Sequence, residues 1–242
     1  MSGGQHRPLI LLALAACAPQ PADRWPAVRD ACALESAPSP WAVDAPSPLE
    51  PACAEALSAA VDVDGSLDEA AHEAVLRALW VVAATDLPPL SALEPDGFTS
   101  ARLADRLRSD ASALSLSDPP LQQLFFAELT AQCPLMRADP RSPEPGRLAS
   151  HRSDACLLAP ALFEQPVESV ATVLVHEAWH GVGPGHVTCP DDPSLQCDRH
   201  LDGSYGTQAA WLALAADEAT SPWAASRLES KAWEARARVV RP

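Results

Sequence analysis

Apolar side chains recur every three to four residues in several long segments of the chain, which is the pattern of amphipathic helices. Residues 67–84 carry such a face, and Ser66 with Glu69 predicts a capping box at its start. A second helix is predicted from Pro119 to about Cys133, with its apolar positions facing inward. Both helices are expected to be scaffold for the core.

The C-terminal half continues the helical pattern after one short apolar run. Residues 155–163 are mainly apolar and are predicted to form a strand. A helix follows Pro166 and is expected to end at Gly181, because glycine readily adopts the left-handed conformation found at many helix ends. Two further helices, over residues 207–219 and from residue 221 onward, complete the chain.

Composition agrees with a helix-rich fold. Hydrophobic residues make up 48% of the 242 positions and aromatic residues only 5%, and alanine and leucine, which supply much of the apolar content, favour helix over strand. The sequence therefore predicts one helix-rich α+β domain. The formal net charge of −15 argues against nucleic acid as a partner, because the 17 basic residues form no patch that could displace counterions.

The N-terminal segment has the features of an export signal. The apolar run over residues 9–16 is too short to cross a bilayer and has the length of a signal-peptide core. Residues 14–17 (LAAC) resemble the lipobox of bacterial lipoproteins, which implies that residues 1–16 are removed and that Cys17 is acylated. An ordinary secretory signal is the alternative. Ala18, which is not an inner-membrane retention aspartate, implies an outer-membrane anchor.

Residues 17–52 are predicted to tether this anchor to a domain of residues 53–242. Eight prolines in the tether favour extended backbone. Trp25 and Trp41 also lie there, and a fully solvated linker has little use for tryptophan. Part of the tether is therefore expected to pack on the domain.

Six cysteines remain when Cys17 is set aside, an even number in an exported chain, where disulfides persist. Up to three disulfides are expected. The sequence does not fix their pairing, but proximity along the chain favours the pairs Cys32–Cys53, Cys133–Cys156 and Cys189–Cys197.

The run HEAWHGVGPGH at residues 176–186 carries the strongest chemical signal. His176 and His180 are four residues apart in a predicted helix, so both imidazoles lie on one face and can reach one metal ion. Glu177 lies off that line, in position to take a proton from water at the metal. His186 follows six residues after His180, and three glycines between them allow the chain to turn back.

The pattern HExxHxxGxxH resembles the signature of the metzincin metallopeptidases. The resemblance covers 11 residues and implies a small zincin-like domain in which a short strand or sheet precedes the metal-binding helix and further helices follow it. It also implies that His176, His180 and His186 bind one Zn²⁺ ion, that Gly183 turns the chain, and that Glu177 is the catalytic base.

Metzincins also have a methionine-containing turn beneath the zinc ion. The two methionines of this chain, Met1 and Met136, both precede His186, so that turn has no methionine here. The turn DGSYG at residues 202–206 lies at a suitable distance and holds the single tyrosine, Tyr205. Some metzincins place a tyrosine near zinc, so Tyr205 is a candidate catalytic residue or metal ligand. A half-buried aromatic residue without a chemical role is the alternative.

Other residues compete with His186 for the third ligand position. His200 and Asp198 lie in the same loop, and Asp217 and Glu218 lie on the next predicted helix, as in glutamate-zincin peptidases. The sequence leaves these alternatives open.

The predicted function is zinc-dependent hydrolysis of peptides or proteins at the bacterial cell envelope, by a zinc-bound water that Glu177 activates. One alternative is a catalytically inactive zinc-binding lipoprotein that acts as a binding or structural module. Another is a zinc hydrolase with a different kind of substrate, because the metal site does not fix what the pocket walls accept.

Overall fold

The computed structural model describes residues 21–41, 48–140, 147–153 and 155–241. These residues form eight α-helices and two small sheets, joined by loops. The helices are α1 (Pro21–Ala31), α2 (Pro51–Ala60), α3 (Glu69–Ala84), α4 (Ala101–Ala113), α5 (Leu121–Gln132), α6 (Val167–Val182), α7 (Ser204–Asp217) and α8 (Pro222–Arg236). The strands are β1 (Asp62–Val63), β2 (Leu135–Ala138), β3 (Ala149–Arg152), β4 (Ala155–Leu158), β5 (Val187–Thr188), β6 (Gln196–His200) and β7 (Val239–Arg241). The predicted helix-rich α+β fold is confirmed.

The larger sheet has the strand order β1, β2, β4, β3, with β3 antiparallel to β4 at one edge and the other pairs parallel. In the smaller sheet β5 is antiparallel to β6, and β7 is parallel to β6. Helix α6 follows β4 and packs against β3, α3, α5 and α7. Its position between the larger sheet and the C-terminal helices sets the location of the histidine motif.

The core lies where α3, α5, α6 and α7 meet, and its large side chains are fully buried. Trp179 of α6 packs against Phe125 of α5 with ring centroids 5.1 Å apart. Trp211 of α7 packs edge-on against Trp41 at 5.7 Å. Burial of each such side chain stabilises the fold by about 1.5–3 kcal/mol, and α6 is packed between α5 and α7.

The start of one predicted helix and the end of one predicted strand differ in the structure. Helix α3 begins at Glu69, and its N-cap is Asp68, whose Oδ1 accepts a hydrogen bond from the N–H of Ala71 at 2.8 Å. The predicted capping box at Ser66 is therefore wrong. The strand predicted over residues 155–163 ends at Leu158, because Pro160, which lacks an N–H, begins a single 3₁₀ turn.

Helix α6 extends beyond its predicted end. It continues through Gly181 to Val182, and Gly183 is its C-cap in extended conformation, with φ −91° and ψ 168°. The expected left-handed glycine at position 181 is wrong. The N–H of Gly183 donates to the carbonyl oxygen of Trp179 at 2.7 Å, which completes the last turn of the helix.

Residues 21–41 of the predicted tether lie on the core. Trp25 is 7% exposed and Trp41 is 4% exposed. Where the prolines predict extended backbone, Pro21–Ala31 is helical. Pro21 lies in the first turn, where it removes no helical hydrogen bond, and Pro26 lies inside the helix. The predicted signal peptide (residues 1–16) and Cys17 lie outside the described residues.

All three predicted disulfides are confirmed, and they are Cys32–Cys53, Cys133–Cys156 and Cys189–Cys197. Disulfides of this kind persist in oxidising surroundings, so they indicate an extracytoplasmic protein. No helix within the described residues combines the length and apolar character needed to cross a membrane.

Candidate metal centre

Three imidazoles meet at the C-terminal end of α6. His176 and His180 lie one turn apart on the helix, and His186 enters from the segment that follows it. One ligand nitrogen from each ring lies within 4.8 Å of the other two, and the Nε2 atoms of His176 and His180 are 3.1 Å apart. Nitrogens that share one tetrahedral zinc ion lie about 3.3 Å apart. The triad could therefore hold a metal ion.

Two of the histidines are oriented by acceptors on other elements. The Nδ1–H of His176 donates to Oε1 of Gln208 on α7 at 3.0 Å. The Nδ1–H of His186 donates to Oδ1 of Asp198 on β6 at 2.7 Å. In metal-binding histidines, the N–H of the ring nitrogen that does not bind the metal typically donates such a hydrogen bond, which here leaves Nε2 free for the ion. The donor set of the triad thus fits a zinc ion.

Burial keeps His176 and His180 in their metal-binding form. Burial, with the charges of His180 and His186, lowers the pKa of His176 well below its usual range. Burial, with the charges of His186 and His151, lowers the pKa of His180 to about 4. Neutral imidazole is the form that binds metals, so neither ring has to release a proton at neutral pH.

Glu177 is buried beside the triad, with 5% of its surface exposed. Its Oε2 lies 3.9 Å from Nε2 of His180 and has no hydrogen-bond partner among the described residues. Burial raises the pKa of Glu177 to about 7, although the main-chain N–H of His151 donates to the carboxylate and Arg147 is nearby. One carboxylate oxygen is thus left without a partner at the site.

Tyr205 packs against two of the histidines. Its ring centroid lies 4.4 Å from that of His176 and 4.9 Å from that of His186. The Tyr205 and His186 rings are stacked, with 26° between their planes. Burial raises the pKa of the Tyr205 phenol, which therefore keeps its proton at neutral pH. The DGSYG turn does bring this side chain to the triad, while its role as ligand or oxyanion donor stays a prediction.

Gly183 stands where a side chain would collide with the helix. A Cβ atom there would lie 2.5 Å from the carbonyl oxygen of Trp179. At Gly181 the nearest atoms belong to the flexible side chain of Gln132, and at Gly185 nothing lies within 4 Å. The sequence assigned all three glycines to the turn, but only Gly183 meets fixed backbone.

The competing third ligands are not part of the cluster. Among the described residues, the group of ligand atoms able to hold a metal contains His176, His180 and His186. Asp198 contacts His186 instead of completing the cluster. His200, Asp217 and Glu218 contribute no atom to it.

Three residues at the site were not assigned their role from sequence. Asp198 and Gln208 orient ligands, and His151, which has no ligand spacing, supplies the N–H that contacts Glu177. The Nε2 atom of His151 lies 3.0 Å from the carbonyl oxygen of Gln132. Each of these contacts joins separate elements, so no local sequence pattern announces it.

No protein-family model matches the chain, and comparison with curated proteins and with solved structures gives no match. The geometry of the triad and its neighbours therefore carries the functional conclusion.

Proposed function

We propose that this protein is an exported zinc-dependent metallopeptidase. The observation that carries the proposal is the buried Glu177 beside the histidine triad, with one carboxylate oxygen that has no partner among the described residues. A zinc site that only stabilises a fold is closed by four protein ligands and needs no such acid. Three histidines with an adjacent acid are the arrangement of a hydrolytic site.

Zinc is the metal that this donor set favours, because three neutral imidazoles suit a borderline-soft ion in tetrahedral geometry. When bound, zinc would supply a Lewis acid that polarises a carbonyl group and lowers the pKa of a water on the ion to about 7. The other steps fall to side chains of the chain itself.

Glu177 is the proton carrier in this proposal. Its unpartnered Oε2 accepts a proton from the attacking water and then passes it to the leaving amine. The hydrogen bond from the N–H of His151 holds the carboxylate in place. Tyr205, which keeps its proton and whose ring lies against His176 and His186, is the proposed donor to the oxyanion.

The exposed edge of β3 supports a peptide substrate. The N–H of Ala159 donates to the carbonyl of Leu148 at 2.9 Å, and hydrogen-bonded pairs alternate along an antiparallel ladder. Ala149 and His151 therefore direct their main-chain groups away from β4, towards the outer edge beside α6. The N–H of His151 already donates to Glu177, and an extended peptide can add to the remaining groups of this edge as a further strand.

The cellular location is proposed from two observations. The LAAC sequence at residues 14–17 supports a lipid anchor on Cys17, and the three disulfides support an oxidising compartment. The proposed site of action is therefore the bacterial cell envelope, with the outer membrane as the anchoring surface.

The test compares wild-type protein with Glu177→Gln for bound zinc and for cleavage of a fluorogenic peptide library. We expect one zinc ion per chain in both proteins and a rate at least about 100-fold lower in the variant. Glu164→Gln, at an exposed position, is the matched control and should cleave like wild type. Zinc binding without any cleavage by the wild type would reject the peptidase and favour the inactive binding module.

A further inference from the structure

We propose that Asp198 is the positioning residue for the third metal ligand, and that the β5–β6 hairpin and the DGSYG turn hold its carboxylate in place. The inference rests on the proposed metal site. It assigns Asp198 a role that acts through His186 instead of through direct contact with the metal.

The register of the β5–β6 hairpin brings the two side chains together. Val187 pairs with Cys197, and Thr188 pairs with Gln196. The next position along the same register places His186 opposite Asp198, where side chains on one face are neighbours. The observed contact is 2.7 Å between Nδ1 and Oδ1. The Cys189–Cys197 disulfide lies within this hairpin and fixes the register.

The second oxygen of Asp198 is held by the start of α7. Oδ2 accepts the N–H groups of Tyr205 at 2.5 Å and of Gly206 at 3.1 Å. The first N–H groups of a helix lack intrahelical partners and carry partial positive charge, so a carboxylate is favoured there. Asp198 is 1% exposed, and these contacts compensate the burial of its charge.

The two glycines of the turn leave room for this carboxylate. A Cβ atom at Gly203 would lie 2.4 Å from Oδ2 of Asp198. At Gly206 it would lie 2.1 Å from the carbonyl oxygen of Leu201, so the turn could not close as tightly. The composition of DGSYG is thereby explained by the need to bring α7 onto Asp198.

Both oxygens accept hydrogen bonds from protein donors, and Asp198 contributes no atom to the metal-binding cluster among the described residues. Its acceptor oxygen keeps the proton of His186 on Nδ1 and leaves Nε2 as the metal-binding atom. The negative charge also makes Nε2 a stronger donor to a cation. Loss of such an orienting partner typically weakens metal binding by about 10- to 100-fold.

Asp198→Asn tests this role with Co²⁺ as the probe, by competition titration and by the visible absorption of the bound ion. We expect affinity about 10- to 100-fold below wild type. Asp191→Asn makes the same change at an exposed position of the hairpin and should bind like wild type. Equal affinity in the wild type and Asp198→Asn would overturn the inference and leave the proposed metal site standing. A wild-type protein that binds no Co²⁺ would overturn both.

A double-mutant cycle separates positioning from general stability. In a His186→Ala background, Asp198→Asn should cause no further loss of Co²⁺ affinity, because the residue through which Asp198 acts is gone. Additive losses would show that Asp198 acts through the fold and would overturn the inference.

Nitrogen-15 NMR of metal-free wild-type protein provides a measurement that does not depend on folding of a variant. We expect His186 to carry its proton on Nδ1, as the 2.7 Å contact with Asp198 requires. A proton on Nε2 would overturn the assignment.

Discussion

Gly183→Ala is the substitution whose effect the structure fixes most closely. The new Cβ would lie 2.5 Å from the carbonyl oxygen of Trp179, whereas ordinary contact begins at 3.4 Å. The two groups must therefore separate by about 0.9 Å. That carbonyl also accepts the N–H of Gly183 at 2.7 Å, so the separation lengthens the last hydrogen bond of α6. The shift occurs three residues before His186.

The expected effect follows from this clash. Forcing an extra methyl group into a filled space destabilises proteins by about 1–3 kcal/mol, which corresponds to a decrease in Tm of about 2–12 °C for a chain of this size. The metal-bound turn has less freedom to relax than the metal-free turn. Any part of this strain that appears only on binding lowers zinc affinity instead of stability, by up to about 150-fold for about 3 kcal/mol.

Thermal unfolding and zinc competition titrations of two variants provide the assay. Gly185→Ala is the matched control, because no atom lies within 4 Å of its new Cβ. We expect that control to bind zinc like wild type and to be as stable or up to about 1 kcal/mol more stable. Equal stability and zinc affinity in Gly183→Ala and Gly185→Ala would refute the reasoning.

Two further predictions concern a buried acid and the disulfides. Burial and the charge of Asp110 raise the pKa of Glu128 to about 7. The folded state therefore keeps a proton that the unfolded chain releases near pH 4.5. As the pH rises between these two values, the wild type loses up to about 3 kcal/mol of stability. The free energy of unfolding of Glu128→Gln, measured by urea denaturation, should change less over this pH range. A pH dependence equal to that of the wild type would contradict the assignment. Replacing either the Cys189–Cys197 or the Cys32–Cys53 pair by serine should cost about 2–4 kcal/mol, but zinc titration should show weaker binding only for the former. Equal zinc affinity of both variants would contradict a role of the hairpin disulfide in the site.

The helices that sequence predicts are those with broad apolar faces. Helices α3, α5, α6, α7 and α8 bury such faces, and their hydrophobic period is visible in the chain. Helix α4 was missed, although its buried residues Leu103, Leu107 and Ala111 recur at helical spacing. Its N-cap, Ser100, was a second signal, since its Oγ accepts the N–H of Leu103 at 3.1 Å.

The strands of the smaller sheet are too short for a period to be read. β5 has two residues and β7 has three, so neither shows an alternation that distinguishes strand from loop. Their pairing with β6 depends on tertiary contacts. Consequently the hairpin that carries His186 and Asp198 was predicted only as a loop.

The metal ligands were predictable because their spacing is local. His176 and His180 lie on one helix, and His186 follows within the same short segment. The residues that orient them are not local in this sense. Gln208 is 32 residues from His176, and Asp198 reaches His186 through the register of a hairpin. Only the folded chain brings these pairs together.

X-ray absorption spectroscopy of the purified, zinc-loaded protein measures the proposed three-histidine zinc site itself. We expect one zinc ion per chain, with three imidazole nitrogens at about 2.0–2.1 Å and one further light-atom ligand. His176→Ala should abolish stoichiometric zinc binding, since it removes the most buried member of the triad. A wild-type protein without stoichiometric zinc, or with a spectrum that lacks imidazole ligands, would contradict the account.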